Sequence, residues 1–366
     1  MDIRELSADQ ARQLRMEALL LAGNPHLDES PAQSAYRTVK HLQALQGQDF
    51  GASRYALGVR IPDSRLFEID AAFNAGLLVR SWPMRGTVHA VAAEDIGWMQ
   101  GLTNHRVLAN VPKRREFIGL PDRQVELVAS LTEEYLRAGV AATRDELSAV
   151  WVAGGAEPNN AWRYHLIWYL SQIGLITMGP IIEGKHSIVL ASEWIRNPRR
   201  LEGEAALVEL ALGYQRGRGP VTTADFAWWA GLTQSEAKKA FALAEFQTVL
   251  IQGIPHFVQP ANLETFEQRV SDSHAPLLLG AFDEHLLGYK IRDLAIDAAH
   301  FAEIVPGKNG VFKPTIVSAG QVVGTWNRAS RQAEALSGRE AEFHRVFPQL
   351  NFAALDRFID QEGLAE

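Results

Sequence analysis

Three stretches of the chain repeat one order of elements: helix, helix, helix, then a short apolar hairpin. Capping pairs recur at the helix starts inside those stretches, and the part after residue 270 alternates strand-like runs with Gly and Pro turns. Together these observations predict a mainly α fold with small β-hairpins (α+β). It holds three tandem helix-turn-helix units, each with a hairpin wing, followed by a small β-rich C-terminal domain. The expected boundaries are 1–100, 120–198, 199–268 and 270–366, and a chain of 366 residues has room for that many units.

The first repeat covers residues 5 to 92. Ser7 with Gln10 caps the helix of LSADQARQLRMEALLLAG, SAYRTVKHLQALQ follows, and SRLFEIDAAFNAG is the third helix. LLVRSWPMRGTVHAV is the wing, with its turn between Pro83 and Gly86. The second repeat, 124 to 195, opens with VELVASLTEEYLRAG, and Thr143 with Glu146 caps its next helix. GGAEPNN turns the chain into NAWRYHLIWYLSQIG, where Trp162, Leu166, Tyr169, Leu170 and Ile173 recur at helical spacing. Its hairpin closes at Glu183-Gly184. Gly76 and Gly174 stand just before the first two hairpins, where a helix C-cap belongs. The third repeat, 203 to 259, is the clearest. EAALVELALGYQ ends at GRGP, Thr222 with Asp225 starts one helix, Gly231-Leu232 turns, and Thr233 with Glu236 starts the next. TVLIQGIPHFV then reads as two strands around Gly253. In the tail, HAPLLLGAFDEHLLGYKIRD and GVFKPTIVSAGQVVGTWNR form the β domain, with a hairpin at Val317 to Val322. SRQAEALSGREAEFHRVF, capped at Ser330, and FAALDRFIDQEG close it as helices.

Composition narrows the function classes. Hydrophobic residues make up 47% and charged residues 22%, ordinary for a globular chain, and nine Trp with sixteen Phe supply a large core. The absence of cysteine excludes disulfides, thiol nucleophiles and Cys-ligated zinc, and fits a reducing cytoplasm. MDIRELSADQ is polar and acidic, so no signal peptide is expected, and no apolar run of about 18 residues suggests a membrane span. A net charge of −7 argues against a protein that coats nucleic acid indiscriminately, but not against a basic face on an acidic body. Arginines and lysines cluster at Arg54, Arg60, Arg80 and Arg85, at Lys113 to Arg115, at Arg196 to Arg200, at Arg216 and Arg218, and at Lys313, Arg328 and Arg331.

The segment with the most chemistry is Gln46-Gly47-Gln48-Asp49, at the end of an apolar-periodic helix. Two amides across a glycine can aim donors and acceptors at one small object, such as a water, or they can serve as a helix cap. Other motifs fall away. GPIIEGKH (179–186) approximates a phosphate-binding loop, but it has His186 where Ser or Thr is required and lies between strands rather than opening a helix. No dinucleotide Gly fingerprint, HExxH helix or GxSxG elbow is present. His89 in the first wing reads as a packed or backbone-bonded histidine before it reads as a base. Asp283-Glu284 reads as a turn, or as an ion pair with Lys290 or Arg292.

LQALQGQDFGASRYALGVR, RSWPMRGTVHAVAAEDIGWM, LLGAFDEHLLGYKIRD and GVFKPTIVSAGQVVGTW occur in that order. As a set they resemble the winged-helix DNA glycosylase family of the AlkZ and YcaQ type, over nearly the whole chain. The resemblance implies three tandem winged-helix units scaffolded by a β-barrel-like C-terminal domain, and excision of N7-alkylated purines or unhooking of interstrand crosslinks. The family's catalytic pattern, Gln, an aliphatic residue and then Gln, carries over to Gln46 and Gln48. Gly47 departs from it, loosening the backbone by roughly 0.5–1 kcal/mol relative to Ala. Glutamine is no proton acceptor, but an N7-alkylated purine is already cationic, so its glycosidic bond needs an oriented water more than a base. Asp49 is expected to support the oxocarbenium charge or to cap the next helix. Arg54, Arg80, Arg85 and His89 are the expected DNA contacts. The resemblance implies double-stranded DNA as partner, no cofactor, no metal, no membrane, a monomer, and a cytoplasmic, nucleoid-associated location. A non-catalytic winged-helix regulator and a scaffold without a nucleic-acid partner are the competing readings.

Overall fold

The computed structural model describes residues 3–28, 30–260, 263, 275–307 and 310–359. The chain separates into two compact units, one made of residues 1–69 and 207–366 and the other of 70–206. The fold is mixed α/β, with several small sheets.

The first unit opens with β1 (Arg4–Leu6), α1 (Ala8–Ala18), α2 (Pro31–Leu42), the two-residue extended stretch β2 (Leu45–Gln46) and α3 (Phe50–Arg60). Ser7 and Gln10 form the expected capping box on α1. The boundary between units falls within α4 (Leu66–Asn74).

The second unit continues with the hairpin β3 (Leu78–Met84) and β4 (Thr87–Ala92), then α5 (Ile96–Thr103), α6 (His105–Leu108), α7 (Val111–Ile118) and α8 (Asp122–Leu136). It ends with α9 (Arg144–Ala153), α10 (Asn160–Gln172), the hairpin β5 (Ile176–Ile182) and β6 (Lys185–Leu190), and α11 (Ala191–Trp194). Its strands run in the order β4-β3-β5-β6. The core gathers Trp82, Val128, Trp151, Leu166, Leu170 and Ile188, all nearly inaccessible to solvent. Trp151 satisfies its indole N–H on Thr132 Oγ1 at 2.8 Å, so the aromatic buries no orphan donor.

The chain re-enters the first unit through α12 (Gly203–Arg218), followed by α13 (Thr223–Ala230), α14 (Gln234–Leu243), β7 (Gln247–Ile251) and β8 (Ile254–Val258). The expected caps are in place: Thr222 with Asp225, Gly231 in the left-handed conformation, and Thr233 with Glu236. β1 adds to this hairpin as a parallel neighbour of β7, a pairing across more than 240 residues that local pattern could not announce. The tail holds β9 (Leu277–Leu279), α15 (Glu284–Leu287), α16 (Phe301–Ile304), β10 (Thr315–Ser318), β11 (Gln321–Trp326), β12 (Ala333–Ala335), α17 (Glu340–Val346) and α18 (Phe352–Ile359).

Two expectations for this tail are corrected. The strands form an open four-stranded sheet, β12-β11-β10-β9, and among the described residues no barrel closes. The two edge strands have three residues each, too short to complete a ring of tilted strands. Ser330 caps no helix: it lies in a turn whose N–H groups bond Asn327 Oδ1, and the next residues form β12 against β11. Pairing with β11 overrides the helical periodicity of that stretch. The end of the predicted last helix, from residue 360, lies outside the described residues.

All four predicted hairpin turns are present, and they share one grammar. Arg85-Gly86, Glu183-Gly184, Gln252-Gly253 and Ala319-Gly320 each place two successive residues at positive φ, with glycine second. That is the backbone of a two-residue turn matched to the twist of the strands it joins.

Candidate functional site

Gln46, Gln48, Asp49 and Arg54 lie on one short stretch of the first unit; Arg80, Arg85 and His89 lie on the hairpin of the second. The first group is built around the end of α2. That helix stops at Leu42, and Gln43 takes a positive φ (66°) in a tight turn, with Ala44 N–H bonded to Leu42 O at 2.8 Å, that redirects the chain. That turn lies three residues before the motif.

Two arginines from the end of α12 bind carbonyls at and just beyond the end of α2. Arg216 donates to Lys40 O at 2.8 Å and to His41 O at 3.2 Å. Arg218 donates to Leu42 O at 2.7 Å and to Ala44 O at 2.9 Å. Cations at a helix C-terminus also meet the negative end of its dipole. The close approach depends on Gly217, where an added Cβ would come within 2.9 Å of the Leu42 Cα.

Arg218 has a second task. It is wholly buried and pairs with the buried Glu284 carboxylate, Nη2 lying 2.5 Å from Oε2. The other Glu284 oxygen accepts the backbone N–H of Gln46 at 2.8 Å. One buried ion pair thus fixes the carbonyls of Leu42 and Ala44 and the amide of Gln46. Beside it, Arg60 and Asp283 form a two-pronged pair at 2.8 and 3.0 Å, and Arg60 also donates to the Leu19 and Ala56 carbonyls. Burial opposes ionisation of Asp283, but the Arg60 guanidinium and the His285 N–H hold its carboxyl below the ordinary value. Asp283 and Glu284 therefore pair with Arg60 and Arg218, not with Lys290 or Arg292. Arg292 is engaged elsewhere, its Nε donating to the Leu286 carbonyl, and the backbone N–H of Lys290 bonds Asp225. The signal in the sequence was the DEHLLGYK string itself, but only the fold reveals its arginine partners.

Within the motif, the Gln46 side-chain carbonyl accepts the N–H groups of Gly47 at 2.7 Å and of Gln48 at 2.9 Å. Its carbonyl is thereby used on the backbone, and the NH2 that remains is a donor. Gln46 is half-buried and Gln48 exposed. Asp49 caps α3, its Oδ1 accepting from Ala52 N–H at 2.9 Å, as its position before a helix anticipated. Arg54 departs from expectation. It is only 8% exposed, one turn along α3, with its guanidinium 4.3 Å from the centre of the Phe50 ring. Packing of α3 draws it inward, away from the role of a surface phosphate contact.

On the hairpin of the second unit, Arg80 is half-buried with Nη1 3.7 Å from Met178 Sδ. Arg85 occupies the turn at φ 53°. His89 is 1% exposed and its Nδ1 bonds the Thr87 carbonyl at 3.0 Å. That is a packed, backbone-bonded histidine, and its burial corrects the expectation of a direct DNA contact.

Among the described residues no helix is long and apolar enough to cross a membrane. The chain is 27% identical over 312 residues to the interstrand DNA cross-link repair glycosylase of Streptomyces sahachiroi, covering 80% of this chain and 82% of the relative. Its fold superposes on the solved Streptomyces sahachiroi DNA glycosylase AlkZ with a TM-score of 0.74 at 21% identity, over 96% of both chains. The family description "DNA glycosylase AlkZ-like" matches residues 39–359, so the chain belongs to the AlkZ-like DNA glycosylase family.

Proposed function

We propose that this protein is a DNA glycosylase that hydrolyses the N-glycosidic bond of N7-alkylated purines and unhooks interstrand crosslinks, acting through Gln46 and Gln48. The observation that carries the reading is the fixation of the Gln46 backbone by the buried Arg218–Glu284 pair. A buried ion pair is a costly way to hold an exposed loop, and a tightly held loop with two amides suits a reaction that needs placement more than proton transfer. Membership of the family and the likeness to the Streptomyces cross-link repair glycosylase support the same reaction.

On this reading the two glutamines divide the labour. Gln46, with its carbonyl held by the next two N–H groups, presents its NH2 and shapes the loop. Gln48, more exposed, supplies the carbonyl that orients the attacking water. Positive charge on the alkylated base makes the leaving group neutral, so no general acid is required. Asp49 is chiefly the cap of α3. Arg80 and Arg85 of the second unit are the proposed phosphate contacts, and the division of the chain into three winged-helix units is part of this reading.

The test is release of free N7-methylguanine from methylated DNA by the wild type, Gln46→Ala and Gln48→Ala. Loss of release in both variants is the expected result. Equal release by all three proteins would remove the glutamines from the mechanism.

A further inference from the structure

A pocket of about 420 Å³ opens in the second unit, its lining including Arg85, Arg106, Val107, Asn110, Arg114 and Trp168. Its elements come from separate parts of the unit. The β3–β4 turn brings Arg85, α6 brings Arg106, α7 brings Arg114, and α10 brings Trp168. The turn is seated on α6: a Cβ at Gly86 would lie 3.4 Å from Val107 Cγ1, and the residue sits at φ 69°. Trp168 is half-buried against the unit's core, with its ring centre 5.4 Å from that of His165.

The chemistry of the lining is one-sided. It carries three guanidinium groups and no carboxylate, in a chain whose net charge is −7. The field extends inward. Burial, then the charges of Arg115 and Arg114, push the pKa of His165 down to about 4, so that imidazole stays neutral beneath the arginines. Arg115, outside the lining, is paired with Asp122 at 2.8 Å and stacked 4.2 Å from the Tyr169 ring. The volume lies within the roughly 300–1,000 Å³ of ordinary ligand sites. Guanidinium groups recognise phosphate oxygens, and an indole face stacks a base of any sequence.

We propose that this pocket takes one unpaired nucleotide of the DNA strand, its phosphate against Arg85, Arg106 and Arg114 and its base against Trp168. A double helix undergoing excision has such nucleotides wherever a base loses its partner. The proposal rests on the reading of the chain as a DNA-acting enzyme, but concerns a different site and a different step, retention of the strand rather than cleavage of the bond.

Fluorescence anisotropy with two labelled duplexes, one fully paired and one carrying a single unpaired nucleotide, tests it across a series of salt concentrations. The wild type is expected to prefer the second duplex by about 5- to 150-fold, the range that stacking of one base supplies. Trp168→Ala abolishes the preference, and Trp168→Phe, which keeps a ring in the same packing, retains most of it. Replacing both Arg106 and Arg114 by Ala weakens binding of the duplex with the unpaired nucleotide and lowers its slope of log Kd against log salt by up to about one, roughly 0.9 for the one phosphate contacted. Excess deoxynucleoside monophosphate leaves binding unchanged if the strand, not a free nucleotide, is the ligand; full competition by the mononucleotide would overturn that assignment. Equal affinity of the wild type for the two duplexes, or an unchanged slope in the arginine variant, would overturn the pocket. Absence of any DNA binding by the wild type would instead overturn the broader reading of the function.

Discussion

The two units use arginine in opposite ways. In the first, Arg60 and Arg218 are wholly buried, each locked to a carboxylate and to backbone carbonyls, and Arg54 is folded over Phe50. In the second, Arg85, Arg106 and Arg114 line an open pocket that has no acidic residue in its wall. The difference teaches that clustering in the sequence says nothing about task. The Arg54–Arg60 group reads in the sequence like a DNA-binding patch and serves the architecture around Gln46. The basic run at Lys113 to Arg115 contributes Arg114 to the wall of that pocket.

The largest expected effect follows from breaking the buried pair. Arg218→Ala or Glu284→Ala strands a charge in the interior and should cost about 3–5 kcal/mol in denaturant unfolding. The same loss from Arg114→Ala, expected to stay within about 0.5 kcal/mol, would erase the distinction between the units. A sharper version replaces Arg218 by Met and Glu284 by Leu together. Apolar replacement of the whole pair strands no charge, so the double variant should be more stable than either single one, although the backbone groups the pair held cost it about 1–3 kcal/mol each. Excision should nevertheless fall, because the Gln46 N–H and the Leu42 and Ala44 carbonyls lose their partners. Retained excision in that double variant would show that the pair serves the fold alone.

A smaller effect comes from pH. Burial above all pushes His41 and His285 of the first unit, and His165 of the second, down to about 4. In the unfolded chain they titrate near 6.5, so between about pH 6.5 and 4 the unfolded state binds more protons. Stability therefore rises with pH across that window, and the melting temperature should drop by several degrees from pH 7 to pH 5. Asp283, whose folded pKa is lowered, adds its loss only below the ordinary carboxylate value. A melting temperature flat between pH 7 and 5 would contradict the neutral buried histidines.

What was legible in the sequence was local. A capping box needs residues three apart, so Ser7, Thr143, Thr222 and Thr233 announced their helices. An X-Gly pair between two apolar runs announced each hairpin. The motif stretch, and Asp49 as the cap of α3, were equally visible. What the sequence hid depends on distant partners: β1 joining β7, Glu284 reaching Gln46, and Arg60 meeting Asp283. Burial was hidden for the same reason, which is why Arg54 and His89 were placed on a surface they do not occupy. The sheet of the tail was legible strand by strand from β9 to β11, but not in its closure, because edge length and the pairing of β12 are settled by neighbours.

The most direct measurement compares Gln48→Ala with Arg114→Ala in single-turnover release of N7-methylguanine, followed to saturating enzyme. The account predicts that Gln48→Ala loses on the order of 100-fold in the saturated rate, as a misplaced water would cost, at unchanged DNA affinity. Arg114→Ala should lose affinity and keep the saturated rate. Release by Gln48→Ala at the wild-type saturated rate would contradict the account.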